Sequence, residues 1–432
     1  MLNVALPAIG ASYHAATAEV QWVMNAFTLP LSALLLTGGA AGDLYGRKAV
    51  MLAGILIFTL ASILCAASPS LEIFLGGRAL QGLGAAMLMP NSLAILSASF
   101  TGEKKGRAVG TWAAAGAIAG AISPLLGGWL VDGLGWPFIF LLNVPIAAAA
   151  ILLGWLYVPE SANEKRPPPD WLGAWLATIG LGALTWGLTA WSAAGHVAAG
   201  SATAIAAGAA LVIGFLFVEH RRGAEAMVPL AMFGSRAFTG LTLFTFLLYG
   251  ALAGLMLLLP YTLIQAGGYP ATRAGLAVLP FPIIIAFGSP MMGKLAARIG
   301  PRWPLTIGPL LVAGGFLLGR LISQDGSYWT TVLPAILTVS LGMAIAVAPL
   351  TTAVLSSVDD HHVGTASGLN SAVSRAGGLI VTALAGVVLS LSGEALIAGL
   401  HGATLVGAGL ALVASLTAFA TLGSRQSRQP RA

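Results

Sequence analysis

Gly39-Ala-Ala-Gly-Asp43-Leu-Tyr-Gly46-Arg47-Lys48 closes one long apolar run and opens the next. Further along, Gly293-Lys-Leu-Ala-Ala297-Arg298-Ile-Gly300-Pro-Arg302 does the same. Both are short, basic, glycine-bearing turns, and the runs they join are almost uncharged. Such a repeat points to a chain made of two related halves. The copies differ at one chemically important position, Asp43 against Ala297.

Composition says what surrounds these turns. Hydrophobic residues make up 57% and charged residues 8% of the 432 residues, and the mean hydropathy is +0.90. A soluble domain carries about 25% charged residues, so this chain cannot cover a water-facing surface. Apolar runs of the roughly 20 residues that a helix needs to cross hydrocarbon follow one another from end to end. The chain therefore reads as an all-α polytopic membrane protein, and a duplicated half inside one is the mark of a transporter. The net charge of +6 forms no continuous face, which excludes a nucleic-acid partner. Cys65 is the only cysteine, so no intrachain disulfide can form. No basic segment precedes a cleavable apolar stretch at the amino end.

Apolar runs set against Gly, Pro and charge breaks place spans near 19–41, 49–68, 71–98, 106–131, 136–158, 171–191, 200–219, 237–263, 273–297, 303–322, 329–357, 365–392 and 400–422. A stub, Leu2-Asn-Val-Ala-Leu-Pro7-Ala-Ile9, precedes them and leads into a loop with His14 and Glu19. With alternating sides, Arg47, Lys48, Lys104, Lys105, Arg107, Lys165, Arg166, Arg221, Arg222, Arg236, Lys294, Arg298, Arg302, Arg425, Arg428 and Arg431 share one face. Only Arg273 and Arg320 fall on the other, and the positive-inside rule makes the crowded face cytoplasmic, the carboxyl end included. The expected organisation is an N-terminal bundle at 1–158, a stiff cytoplasmic linker at 159–170 and two inserted helices at 171–219. A cytoplasmic loop at 220–236, a C-terminal bundle at 237–422 and a cytoplasmic tail at 423–432 complete it. Trp171, Trp175, Trp186 and Trp191 on the inserted pair suit an interfacial belt.

Four stretches add a resemblance. Gly39, Asp43, Gly46, Arg47 and Lys48 match the pattern G-x-x-x-D-x-x-G-R-K/R; Arg78, Gln81, Gly82, Gly84 and Ala85 match R-x-x-Q-G-x-G-A. Ser123-Pro124-Leu-Leu-Gly127-Gly128 stands where an antiporter helix ends G-P-x-x-G-G. Gly364-Thr-Ala366-Ser367-Gly368-Leu-Asn370 precedes Arg375-Ala-Gly377-Gly378. In order and spacing these resemble the major facilitator superfamily, and within it the fourteen-span drug:proton antiporters that export multiple drugs and quaternary ammonium compounds. The resemblance implies the major facilitator fold, with two six-helix bundles plus two inserted helices. The family's first helix carries L-D-x-T-x-x-N-V-A-L-P, whereas this sequence opens Met1-Leu-Asn3-Val-Ala-Leu-Pro7. The family's aspartate would lie just before Met1, so either the start is set too late or the first helix is truncated. Ala119 and Ser123 also replace glycines of the antiporter helix.

What the resemblance implies for individual residues can be weighed physically. Asp43, with Gly39, Gly46, Arg47 and Lys48, is implied as a gate, its carboxylate lying against a helix end of the other half, a contact worth about 0.3–1 kcal/mol and up to about 2 when partly buried. Gly293, Arg298, Gly300 and Arg302 form the second copy, which lacks the acid. Arg78 lies in an apolar run, where a charge costs about 2.5–3.5 kcal/mol. It is expected to face a wet cavity beside Gln81, one helical turn away, and the family implies that the pair couples proton movement to substrate. Gly110, Pro124, Gly127 and Gly128, with Ser123, give the antiporter helix small faces and a point of bending. Asn25, Phe27, Asn91 and Trp112 are expected nearest the substrate cavity, where cation–aromatic contacts add about 0.5–2 kcal/mol.

The sequence therefore describes an inner-membrane exporter of small apolar or amphipathic molecules, working by alternating access against inward proton flow. Its partners are the substrate, protons and lipid; no cofactor or metal is called for, and a periplasmic adaptor is not readable. A proton-uncoupled facilitator or dedicated metabolite exporter of the same fold is the alternative. A membrane enzyme of lipid or cell-wall assembly would need acid–base groups gathered at one face, and Asp132 and the 359–362 cluster fall on opposite faces. Asp359-Asp360-His361-His362 reads as solvated loop, because adjacent residues do not easily converge on one ion.

Overall fold

The computed structural model describes residues 1–100, 102–161, 170–196, 198–223, 226, 228–324, 326–359 and 363–423. The first helices are α1 (Leu2–Ser12), α2 (Thr17–Tyr45), α3 (Arg47–Ala66), α4 (Leu71–Ser99), α5 (Gly102–Gly133), α6 (Phe138–Leu141) and α7 (Asn143–Tyr157). An antiparallel pair follows, α8 (Trp171–Ala194) and α9 (Ala199–Arg222). The chain continues with α10 (Arg236–Gln265), α11 (Ala271–Val278), α12 (Pro280–Ile299), α13 (Arg302–Leu318) and α14 (Val332–Ser356). It finishes with α15 (Val363–Leu384), α16 (Gly386–Leu389) and α17 (Gly393–Thr421).

Counting α6 with α7, α11 with α12 and α15 with α16, twelve of these helices are long and apolar enough to span a membrane. α5 is a further long helix, whose first turns carry Glu103, Lys104, Lys105 and Arg107. The apolar runs at 136–158, 273–297 and 365–392 are each divided in two. The division at 279–280 falls where Pro280 withholds a backbone donor. The stub is a helix rather than a loose end: Val4, Ala5, Leu6 and Ile9 are buried, and Asn3 Nδ2 donates to the Met256 carbonyl of α10 at 2.7 Å. Glu19, expected in a loop, lies in the first turn of α2, where its carboxylate accepts from the Ala16 amide at 2.7 Å.

The repeat read in the turns extends into the packing. Gly46 and Gly300 both take positive φ, +103° and +86°, between two helices. Each donates its amide four residues back, to Gly42 and Ala296. In α3 and α4, Gly54 and Gly84 bring the backbones together: a Cβ on either would lie 2.7 or 2.6 Å from the other's carbonyl oxygen. In α13 and α14, Gly308 and Gly342 do the same at 2.8 and 2.5 Å. Gly308 stands to Gly54 at the same offset as Gly300 to Gly46. Small residues permit this approach where lipid gives no hydrophobic drive between helices.

Chain direction then sorts the helix ends into two faces. One carries the basic turns at Gly46 and Gly300; the other carries the starts of α2, α4 and α11 and the ends of α5, α8 and α15. α2 packs along α15, α5 packs on α11, and α8 leans on α2, α15 and α16. The tryptophans at 171, 175, 186 and 191 on α8 are exposed, as residues at a lipid boundary should be.

Candidate functional site

α4 places Arg78 about seven residues into its apolar run, and α2 and α6 close over it. The side chain is 7% exposed. Its Nε donates to the Val23 carbonyl at 3.1 Å, and Nη1 donates to Gln81 Oε1. The Phe27 and Phe140 rings flank the guanidinium, centroids at 4.6 and 5.8 Å. Gln81 Nε2 donates onward to Ser62 Oγ at 2.7 Å, which Asn143 Nδ2 also approaches at 3.4 Å. Arg78 is buried in this conformation and not open to the wet cavity expected for it. Carbonyl, amide and aromatic faces solvate the cation instead, and no carboxylate bonds to it among the described residues. In the register set by Gly84 and Gly342, Ile336 and Val339 of α14 occupy the positions of Arg78 and Gln81, both buried. The polar network therefore belongs to one half alone.

At the first basic turn, Asp43 is buried and its Oδ1 accepts from Arg47 Nε at 2.8 Å and Nη2 at 2.6 Å. Asp43 is thus paired, in this conformation, with Arg47 of the adjoining α3. Glu160, arriving from α7, caps α3 by accepting from the Lys48 and Ala49 amides at 3.0 and 3.1 Å. At the second turn, Arg302 lies over the Phe419 ring at 4.2 Å, and Arg298 is exposed. Gly293 sits against Ala348, 3.2 Å from where a Cβ would be, whereas Gly39 sits 3.4 Å from Pro90. Alanine at either turn glycine forces a residue with a Cβ into left-handed space, at about 1–2 kcal/mol. At Gly46 the methyl would also lie 2.8 Å from the Glu160 carboxyl carbon, displacing a cap of about 1 kcal/mol. Thermal unfolding in detergent is therefore expected to be lowered more by Gly46→Ala than by Gly300→Ala; equal shifts would contradict the Glu160 cap.

A carboxylate does cap a helix of the other half, but at the opposite face. Asp132, at the end of α5, accepts from the Ala271 and Thr272 amides at 3.2 and 2.8 Å and from Thr272 Oγ1. α11 begins after Pro270, which offers no side-chain cap of its own, so its free amides take a partner from α5. Beside this cap the two helices touch. A Cβ at Gly128 would lie 2.5 Å from the Ala271 carbonyl oxygen, and one at Gly275 would lie 2.3 Å from that of Pro124. Gly127 abuts Met1, and Ser123 Oγ bonds back to Ala119, while Gly110 lies nearer the other end of α5. Gln21 Nε2 likewise crosses to the Thr382 and Ala383 carbonyls at 2.7 and 2.9 Å.

The four residues expected around one cavity do not share a wall. Asn25 is buried with Oδ1 accepting from Thr382 Oγ1 at 2.7 Å, between α2 and α15. Asn91 is 0% exposed and donates to the Gly38 and Met87 carbonyls at 2.9 and 2.7 Å, between α2 and α4. Phe27 lies under Arg78. Trp112 is 39% exposed on α5. A polar recess that the sequence reading missed lies between α10, α14 and α15. It has a volume of about 200 Å³ and is lined by Tyr249, Thr351, Ser367, Asn370, Ser371 and Ser374 with two apolar neighbours. Its signal was present: 367, 370, 371 and 374 form a polar stripe at helical period inside an apolar run. A larger cavity of about 660 Å³ between α10, α13, α15, α16 and α17 has apolar walls. Its one hydroxyl, on Thr404, is bonded to the His401 carbonyl. Of the 359–362 cluster, residues 360–362 lie outside the described residues.

Two repeats of touching helices, joined along α2–α15 and α5–α11, define a polytopic membrane protein of the transporter kind. The chain belongs to the Major Facilitator Superfamily, whose profile matches residues 1–380 and, separately, 241–432. It is 34% identical to the multidrug resistance protein Stp of Mycobacterium tuberculosis (strain CDC 1551 / Oshkosh), over 90% of this chain and 72% of that protein. It is 32% identical to the methylenomycin A resistance protein of Bacillus subtilis (strain 168), over 91% and 84% of the two chains. With the tetracenomycin C resistance and export protein of Streptomyces glaucescens it shares 30% identity, over 90% and 72%. Among solved structures, the POT family transporter PepTSo superposes with a TM-score of 0.69 at 16% identity, covering 94% of this chain and 89% of that one.

Proposed function

We propose that this protein exports small apolar or amphipathic compounds across the cytoplasmic membrane, driven by proton entry, with the basic face and the carboxyl terminus in the cytoplasm. The observation that carries this reading is where the halves hold together. Asp132 on α11, Gly128 on Ala271, Gly275 on Pro124 and Gln21 on α15 lie towards the face away from the basic turns, whereas the contacts nearer those turns, Leu36 on Gly368 and Arg375 Nη2 on Met89 Sδ, are made by flexible side chains that can give. The polar recess by Ser367 and Asn370 lies in the basic half of α15, where it receives a ligand from the cytoplasmic side. In this reading helices α1–α7 and α10–α17 are the two rocking bodies, and the Asp43–Arg47 turn engages the other half when the cytoplasmic side closes. The antibiotic and multidrug resistance relatives support export and the substrate class. Arg78 and Gln81 are assigned to coupling.

The test is uptake of ethidium into everted membrane vesicles under an imposed proton gradient. The reading expects accumulation that collapses with the gradient. A proton-uncoupled facilitator of the same fold is the second reading, favoured by the absence of a carboxylate on Arg78 among the described residues. It expects equilibration that ignores the gradient. Cysteines placed at 48 and 302 should label from one side of the membrane; labelling from opposite sides would end both readings.

A further inference from the structure

We propose that Asp170 and Glu219 bind one proton between them, and that this shared proton clasps the start of α8, the end of α9 and the chain leading to α10. Glu219 is 0% and Asp170 5% exposed. Asp170 Oδ1 caps α8 at the Gly173 amide, 2.8 Å, and receives Arg222 Nη1 at 3.3 Å. Glu219 Oε2 accepts from the Val228 amide. The remaining oxygens, Asp170 Oδ2 and Glu219 Oε1, are buried and have no donor among the described residues. Both border one small space: a Cβ at Gly173 would lie 2.7 Å from the first and 2.8 Å from the second. Glycine keeps that space clear.

Two buried oxygens with no donor among the described residues, on carboxyl groups that border one space, are explained by a single proton. Two carboxylates bordering one buried space repel when both are charged, whereas a protonated carboxyl donates to its neighbour and satisfies both orphan atoms. Arg222 is the one cation at the site among the described residues; it sits on the other oxygen of Asp170 with its side chain 40% exposed. It therefore offsets one negative charge and not two. His220 on α9 and Arg236 at the start of α10 are exposed, and Glu164, Lys165, Arg166 and Glu225 lie outside the described residues. The three joined segments link the halves of the transporter. α8 in turn reaches α15 through Ser192 Oγ, which donates to the Ala383 carbonyl at 2.6 Å. As pH rises and the shared proton leaves, two negative charges face each other across Gly173 and the clasp opens.

The test uses the full chain carrying Cys65→Ser and a reporter cysteine, Ala226→Cys, next to the clasp. Because the thiolate is the reacting form of any cysteine, maleimide labelling of the reporter is divided at each pH by that of the same chain in denaturant, and this accessibility ratio is expected to rise with pH. Glu219→Gln is isosteric with the protonated acid and donates an amide hydrogen in its place, so the accessibility ratio should become low and independent of pH. Glu219→Ala should give a high ratio at every pH. Infrared spectra should lose one protonated-carboxyl band in Glu219→Gln and in Asp170→Asn, where asparagine still caps α8. An accessibility ratio that ignores pH in the unaltered pair, or no acid band removed by either substitution, overturns the proposal.

Discussion

Replacing Arg78 by alanine is expected to abolish proton-driven export while the protein still inserts in the membrane. The substitution removes the guanidinium from the Val23 carbonyl and from Gln81 Oε1, and leaves Gln81 Oε1 only the weak Cys65 thiol donor at 4.0 Å in a buried site. An unsatisfied buried acceptor costs about 1–3 kcal/mol, and losing the cation against Phe27 and Phe140 removes up to about 2 kcal/mol. Since about 1.4 kcal/mol is a tenfold change in an equilibrium, the α2–α4 contact is expected to lose its single arrangement. Arg78→Lys separates charge from geometry. Lysine keeps the cation but has no planar fork to reach Val23 and Gln81 together, so export should fall at least tenfold there too. Initial rates of ethidium uptake, normalised to protein in the membrane, check both. Wild-type rates in both variants would falsify the assignment of coupling to Arg78.

How much of this was legible beforehand depends on the range of each contact. The spans follow from run length, a local property, and Gly46 and Gly300 announce themselves because a two-helix turn with positive φ tolerates little else. Arg78 was legible as an anomaly, an uncompensated charge in an apolar run, but its surroundings were not. The reading expects a wet cavity beside Gln81, whereas Val23, Phe27, Gln81 and Phe140 are brought in by three different elements. Asn25 and Asn91 were assigned to a cavity because polar residues in spans suggest one. In lipid the same amides serve equally well to hold helices together, as both do here. Asp132 was the largest omission, because a helix cap normally comes from the residue before the helix. Pro270 holds that place before α11 and has nothing to give. The acid that serves instead is remote in sequence, and no local pattern ties the two. The stripe at 367, 370, 371 and 374 is readable from the sequence, since its helical period is a local property.

Valine at Gly275 is expected to stop transport by a different route, by denying the protein the conformation described here. A Cβ at that position would sit 2.3 Å from the Pro124 carbonyl oxygen, and one at Gly128 would sit 2.5 Å from that of Ala271. Backbone cannot retreat from a methyl as a flexible side chain can, so α5 and α11 must part. Overpacking costs about 1–3 kcal/mol, a shift of roughly five- to 150-fold between closed and open arrangements. The same separation breaks the Asp132 cap on Ala271 and Thr272 and leaves the start of α11 without its acceptor. A mutation that merely weakened packing would lower thermal stability and leave both faces equally accessible. A mutation that biases alternating access instead exposes one face. In a Cys65→Ser background, a cysteine at Gln21, which now bonds across to Thr382 and Ala383, should label much faster in Gly275→Val and Gly128→Val than in the parent. Asp132→Asn should give a smaller increase, since its neutral amide oxygen caps more weakly than a carboxylate. Unchanged labelling at position 21 alongside lost transport would locate the defect in folding, and the α5–α11 contact would then be a scaffold and not a gate.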